Sequence, residues 1–186
     1  MDQDAEAGLR ALYGTHLSAI YSYFARRVTP TEVDGLVSEV FVVAWRRFED
    51  LPPTAHERKL YLYGIARRVL SDNVRSRTRR DRLHLKVTLQ TSPAHASVSH
   101  QEEPSSTWAK GADAPDSDPD DPLIRALKSL KPDDQEVLRL HAWEQLTNDE
   151  AAEVLGCTAN AFAIRLTRAR QRLASVYTTA SGGSDA

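Results

Sequence analysis

Residues Thr147–Tyr177 read TNDEAAEVLGCTANAFAIRLTRARQRLASVY, and the spacing within this stretch decides the fold. Thr147 and Glu150 stand three apart, the capping-box spacing, in which each side chain satisfies the other residue's free backbone N–H at a helix start. Ala151, Ala152, Val154 and Leu155 continue as a short helix of small, close-packing residues. Gly156 then stops it, because a left-handed residue costs glycine least. Thr158 is placed to cap a second helix. In that helix Phe162, Leu166, Ala169, Leu173 and Val176 recur at spacings of four, three, four and three, one continuous apolar stripe.

A short helix, a three-residue turn and a longer basic helix make a helix-turn-helix, whose second helix enters the DNA major groove. Asn160, Ala161 and Ile164 sit early in that helix, where base edges are met; Arg165, Arg168 and Arg172 line its flank, with Arg170 elsewhere on its surface. The plainer alternative is a surface helix with solvated arginines. It accounts for the charge but not for the caps and the turn.

The whole chain has 186 residues, 41% hydrophobic and 27% charged, the profile of a soluble globular protein of one medium or two small domains. No apolar run reaches membrane-span length and no secretory signal opens the chain, so a cytoplasmic location is expected. A single cysteine, Cys157, excludes an internal disulfide and gives no basis for a zinc site. The net charge of −2 hides a strong asymmetry. Arg58–Lys86 carries ten Lys and Arg against Asp72 and Asp81, whereas Gln101–Asp121 carries seven carboxylates against Lys110. For a nucleic-acid binder that distribution matters more than the sum.

Upstream, Leu9, Leu12, Tyr13, Leu17, Ile20 and Phe24 predict a first helix over about 6–28, ended by Thr29-Pro30-Thr31. A second helix, about 32–48, turns Val33, Leu36, Val37, Val40, Phe41, Ala44, Trp45 and Phe48 inward. Its other side carries Glu39, Val42, Val43 and Arg46. Exposed valines beside a charged pair mark a protein partner, or else pack under a neighbouring helix. After the rigid Leu51-Pro52-Pro53-Thr54 loop, a third helix is expected to about Arg77, with Leu62, Ile65, Ala66, Val69 and Leu70 buried. Tyr61, Gly64, Arg68, Ser71 and Arg75 lie opposite and Arg67 nearer the edge. An aromatic ring, a glycine and a row of arginines suit single-stranded DNA, which stacks on planar groups while charge tracks phosphate. A solvated basic helix end is the competing account, better for Arg79 and Arg80 than for Arg68.

Between 87 and 120 the periodicity disappears, and Pro93, Pro104, Pro115 and Pro119 punctuate an acidic, flexible linker. His84, His95 and His100 in or near it lack ligand spacing and are read as solvated, so neither metal nor other cofactor is expected. Beyond it, Leu123, Leu127 and Leu130 define a short helix, and Pro132, Asp133 and Asp134 open another. The expected fold is therefore all-α: helical domains over 1–86 and 121–178, the linker over 87–120, and a disordered tail over 179–186.

Taken together, these motifs resemble an extracytoplasmic-function sigma factor, the smallest type of bacterial RNA polymerase promoter-recognition subunit. Val33-Asp34-Gly35-Leu36-Val37-Ser38-Glu39-Val40-Phe41 with Ala44-Trp45-Arg46 is similar to the family's polymerase-binding helix. Leu62-Tyr63-Gly64-Ile65-Ala66-Arg67-Arg68 with Asp72 and Arg75 resembles the segment that opens and reads the −10 element. Leu155-Gly156 through Arg165–Arg170 resembles the helix that reads the −35 element. Gly35 stands where a second acidic residue is usual, Ser38 for Gln, Arg68 for Asn, Tyr61 for Trp, and Ala163 and Ile164 for a basic residue and Ser. A promoter other than the family's commonest is implied.

The resemblance implies a transcription initiation factor, not an enzyme, that acts in the cytoplasm and binds core polymerase at the clamp coiled coil of the largest subunit. Leu36, Glu39, Val40, Val42, Val43 and Arg46 would make that contact. Tyr61, Arg67, Arg68, Ser71 and Arg75 would read unpaired −10 DNA; Thr158, Asn160, Ala161, Ile164, Arg165 and Arg168 would read the −35 duplex. An anti-sigma partner is implied as well, without stable membrane insertion. Two other readings stay open: a helix-turn-helix regulator with a ligand-sensing or dimerising N-terminal domain, and a module that holds polymerase without reading promoters.

Overall fold

The computed structural model describes the backbone of residues 3–90 and 121–181, and the side chains of residues 6–80 and 121–179. Among the described residues the fold is all-α, with seven α-helices, one 3₁₀ turn and no strand. The helices are α1 (Gln3–Ala25), α2 (Pro30–Arg46), α3 (Ala55–Gln90), α4 (Pro122–Ser129), α5 (Pro132–Ala142), α6 (Asn148–Leu155) and α7 (Ala159–Ser181); the 3₁₀ turn is Phe48–Asp50. They form two compact units, one of residues up to 50 with those from 65 onward in α3, the other of residues 51–64 with those from 121 onward. An expected first domain over 1–86 differs from this grouping at 51–64. Within the second unit, His56 Nε2 lies 2.6 Å from Glu150 Oε1.

In the first unit, α1 buries Leu12, Ile20, Tyr23 and Phe24, and α2 buries Val33, Leu36, Val37, Val40, Phe41 and Ala44. Pro30 takes the first position of α2, where its missing N–H is not needed. Glu32 Oε2 accepts from the Thr29 backbone N–H at 3.3 Å and from the Thr29 hydroxyl at 2.7 Å, fixing the helix start. At Gly8 a Cβ would run into the Phe48 ring, so a glycine there lets the 3₁₀ turn lie against α1.

α3 continues past the expected end at Arg77 to Gln90, because neither Gly nor Pro interrupts it before Pro93. Its start is held locally. Thr54 and Glu57 form a reciprocal cap, Glu57 Oε2 accepting from Thr54 Oγ1 at 2.8 Å and Thr54 Oγ1 accepting from Glu57 N–H at 3.2 Å. Arg58 Nε donates to the Pro52 carbonyl at 2.7 Å and closes the Pro52-Pro53 loop on itself.

In the second unit the helix-turn-helix has the expected caps. Thr147 N–H donates to Glu150 Oε2 at 2.7 Å, and Glu150 N–H donates to Thr147 Oγ1 at 3.3 Å. Gly156 is left-handed (φ 66°, ψ 41°), and Cys157 N–H reaches back to the Ala152 carbonyl at 2.9 Å. Thr158 Oγ1 then accepts from Ala161 N–H at 3.2 Å and starts α7. Phe162, Leu166 and Ala169 are buried against a core that includes Leu127, Leu138, Leu140, Leu146, Ala152 and Val154. Leu173 and Val176 are only half-buried, so the stripe loosens beyond Ala169. α7 nonetheless runs to Ser181, past the expected tail boundary at 179, since no breaker occurs before Gly182. The linker over 91–120, with His95 and His100, lies outside the described residues, as does the side chain of His84.

Candidate functional site

Three helices present outward faces that the core does not use. On α2, Glu39 and Arg46 are exposed, Val43 is half-exposed, and Val42 keeps 47% of its surface open to solvent. Leu36 and Val40, expected in the same contact, point into the core (5% and 0% exposed) and cannot touch a partner. The reason is period: they fall on the inward arc with Val33, Val37 and Ala44, about 100° per residue away from Glu39 and Val42. Beside Val42, Leu9 and Tyr13 of α1 and Phe41 and Trp45 of α2 line an apolar groove of about 520 Å³. The Tyr13 and Phe41 rings are 4.7 Å apart, centroid to centroid, and stiffen it. Sequence periodicity placed Trp45 in the core; it is half-buried and forms a wall of the groove instead.

On α3, Arg67, Arg68, Ser71 and Arg75 are exposed and Tyr61 is half-buried. Arg67 and Arg68 face no carboxylate within ion-pairing distance among the described residues, and Arg75 meets Asp72 only at 3.8 Å, with both groups well exposed. A Cβ at Gly64 would meet nothing within 4 Å, so the helix surface is open there. Val74, 53% exposed, stands among these polar groups and was not singled out by the sequence pattern. Arg77, the next arginine along α3, turns away: its Nη1 lies 2.9 and 3.0 Å from the two oxygens of Glu32. Glu32's carboxyl is held below the ordinary carboxylate value, first by the Thr29 hydroxyl and then by the Thr29 N–H and the Arg77 guanidinium.

On α7, Thr158, Asn160, Ile164, Arg165 and Arg168 are exposed and Ala161 is half-exposed. Asn160, Ile164 and Arg168 succeed one another at spacings of four and so share one strip of the helix. Ile164 is 45% exposed, an apolar residue that the core leaves out. Arg172, read from the sequence as part of this flank, is instead paired with Asp134 of α5. Among the described residues no group of His, Cys, Asp and Glu side chains has metal-binding geometry. No described helix is long and apolar enough to cross a membrane.

Comparison with known proteins matches both helical parts of the chain. The family model described as Sigma-70 region 2 matches residues 12–80, which take in α2 and the outward face of α3. The model described as Sigma-70, region 4 matches residues 120–173, which take in the helix-turn-helix. The chain belongs to the sigma-70 family. It directs RNA polymerase to promoters. Among solved structures, it is similar to the sigma factor RpoE of Bartonella quintana, in complex with the anti-sigma factor NepR (19% identity, 94% of each chain, TM-score 0.55). It is also similar to CnrH in complex with the cytosolic domain of CnrY (23% identity, 94% of this chain and 90% of that one, TM-score 0.58). At these identities the likeness is one of fold. No curated protein matches the sequence.

Proposed function

We propose that the three outward faces divide the work of initiation. α2 docks on core polymerase through Glu39, Val42, Val43 and Arg46, at the clamp coiled coil of the largest subunit. The start of α7, Thr158, Asn160, Ala161, Ile164, Arg165 and Arg168, reads the −35 duplex in the major groove. Ile164 offers a methyl-to-methyl contact with thymine where a polar side chain would hydrogen-bond a base edge. Tyr61, Arg67, Arg68, Ser71 and Arg75 hold unpaired −10 bases, and the Pro52–Glu57 loop takes a flipped one. Capture of a base that has already left the stack shifts the melting equilibrium without ATP.

One observation carries this reading. Arg67 and Arg68 on α3 and Arg165 and Arg168 on α7 lack carboxylate partners among the described residues, and Arg75 meets only the exposed Asp72 at 3.8 Å, whereas Arg77, on the other side of α3, and Arg172, one turn further along α7, are closely ion-paired. Uncompensated guanidinium groups beside open or apolar surface are what a phosphate backbone and its bases require. Phosphodiester chemistry belongs to the polymerase and the chain supplies positioning; its place of action is the cytoplasm. The acidic linker mimics nucleic acid in the polymerase channel. The apolar groove beside Val42 makes the same face suitable for an anti-sigma partner, which would compete with polymerase for it.

Run-off transcription with purified core polymerase on genomic fragments, with start sites sequenced, tests the whole reading: promoter-specific starts are expected only with both components. Glu39→Ala tests the docking face, and unchanged co-purification with core polymerase would count against it.

A further inference from the structure

Glu32 does two jobs with one carboxylate. Its Oε2 takes the Thr29 N–H and hydroxyl and so sets where α2 begins. Both oxygens also receive Arg77 Nη1, at 2.9 and 3.0 Å, from a residue 45 positions further along the chain on α3. The remaining inward surfaces of the two helices are apolar: Val33, Leu36 and Val37 on α2, Ile65, Ala66 and Val69 on α3. Burial of apolar surface is non-directional and tolerates small rotations and slides. A charge-assisted hydrogen bond to a capped carboxylate is directional and does not.

We infer that the Glu32–Arg77 pair is a positioning brace that holds the promoter-facing side of α3 at a fixed angle to the polymerase-facing side of α2. It rests on the functional reading above and adds to it a residue that touches neither polymerase nor DNA. The brace acts through geometry more than through stability, because Arg77 is about half exposed (53%, against 22% for Glu32) and such pairs stabilise a fold only slightly. Without it α2 still docks, but Arg67, Arg68 and Arg75 meet the unpaired strand out of register.

The test is a double-mutant cycle in the full chain with core polymerase: Glu32→Gln, Arg77→Gln and both together. Glutamine keeps an acceptor for Thr29, so the helix cap survives while the charge attraction is lost. Each single variant is expected to keep core-polymerase affinity within about twofold and to slow open-complex formation, read by permanganate reactivity of unpaired thymines, by about two- to fivefold, as a partly exposed pair can supply. The double variant should be no slower than either single one. Arg77→Lys should recover part of the rate. A phosphate contact at Arg77 would behave differently. Arg77→Gln would lower the salt dependence of promoter binding by about one charge while Glu32→Gln did nothing, and that result overturns the brace. So do additive losses, or normal opening in both single variants. Failure of the wild-type protein to open any promoter would instead overturn the functional reading itself.

Discussion

Arg172 of α7 and Asp134 of α5 meet with Arg172 Nη1 2.7 Å from both carboxylate oxygens. Asp134 is nearly buried, its side chain 12% exposed, so the guanidinium neutralises a charge that water hardly reaches. Removal of one partner leaves the other charge unpaired, which costs more than the pair itself is worth. Arg172→Ala should therefore destabilise the helix-turn-helix unit by about 1–3 kcal/mol in urea or thermal unfolding. Arg165→Ala and Arg168→Ala should leave stability within about 0.5 kcal/mol. Promoter binding should show the opposite pattern: each of the latter two lowers the salt slope by about one, and Arg172→Ala does not. Equal salt slopes for all three would remove the distinction between bracing and DNA-facing arginines.

Gly64 separates stability from function. It lies inside α3, and a Cβ added to it would meet nothing within 4 Å. Replacement by alanine therefore adds only helix propensity, and Gly64→Ala should stabilise the protein by about 0.5–1 kcal/mol. If the open surface is where the unpaired strand approaches the backbone, the added methyl displaces it, and open-complex formation should slow by about fivefold, the kinetic equivalent of roughly 1 kcal/mol. A variant that is both more stable and fully active would show that Gly64 lies outside the DNA path.

The parts of this fold that were legible in the sequence are those whose determinants are local. Thr147, Glu150 and Gly156 are three and six residues apart, and the structure places all three in the expected cap roles. The inward arc of α2 followed from its period, and that same period keeps Leu36 and Val40 off the outward face that the motif resemblance implied for them. Arg77 and Arg172 were not legible as braces, since their carboxylates are 45 and 38 residues away. From sequence alone a guanidinium aimed at DNA and one aimed at a distant aspartate look the same. The ends of α3 and α7 were placed too early because a change of composition was taken for a helix stop. Gly and Pro are the residues that most readily end a helix, and none occurs between Arg77 and Pro93 or between Thr179 and Gly182.

Gln145 is the one non-glycine residue with positive φ (56°) among the described residues, in the turn between α5 and α6. That conformation costs an L-residue with a side chain about 1–2 kcal/mol. Its side chain is exposed, so little packing is at stake. Gln145→Gly relieves the strain but adds about 0.5–1 kcal/mol of unfolded-state entropy. A net gain of roughly 0.5–1 kcal/mol is expected. Gln145→Val, β-branched, should lose stability. Loss of stability in the glycine variant would mean that the turn is not strained.

Glu32 and Glu150 make the fold acid-sensitive in a defined direction. Both carboxyls are held below the ordinary carboxylate value, Glu32 first by the Thr29 hydroxyl and Glu150 first by the Thr147 N–H. A carboxyl whose folded-state pKa lies below its unfolded one contributes stability that is fully present above the unfolded value. That contribution drains away as pH falls through the folded value. Between pH 7 and pH 5 neither group should alter stability, and below about pH 4.5 both should withdraw it. Glu32→Gln and Glu150→Gln should thus be less stable than wild type at pH 7, and the gap should close as pH is lowered through 4 towards 3. The two gaps should close independently, because one cap starts α2 and the other α6. Chemical unfolding across that pH range measures the gap, and a difference that stays constant from pH 7 to pH 3 would show that neither carboxylate's charge contributes to its cap.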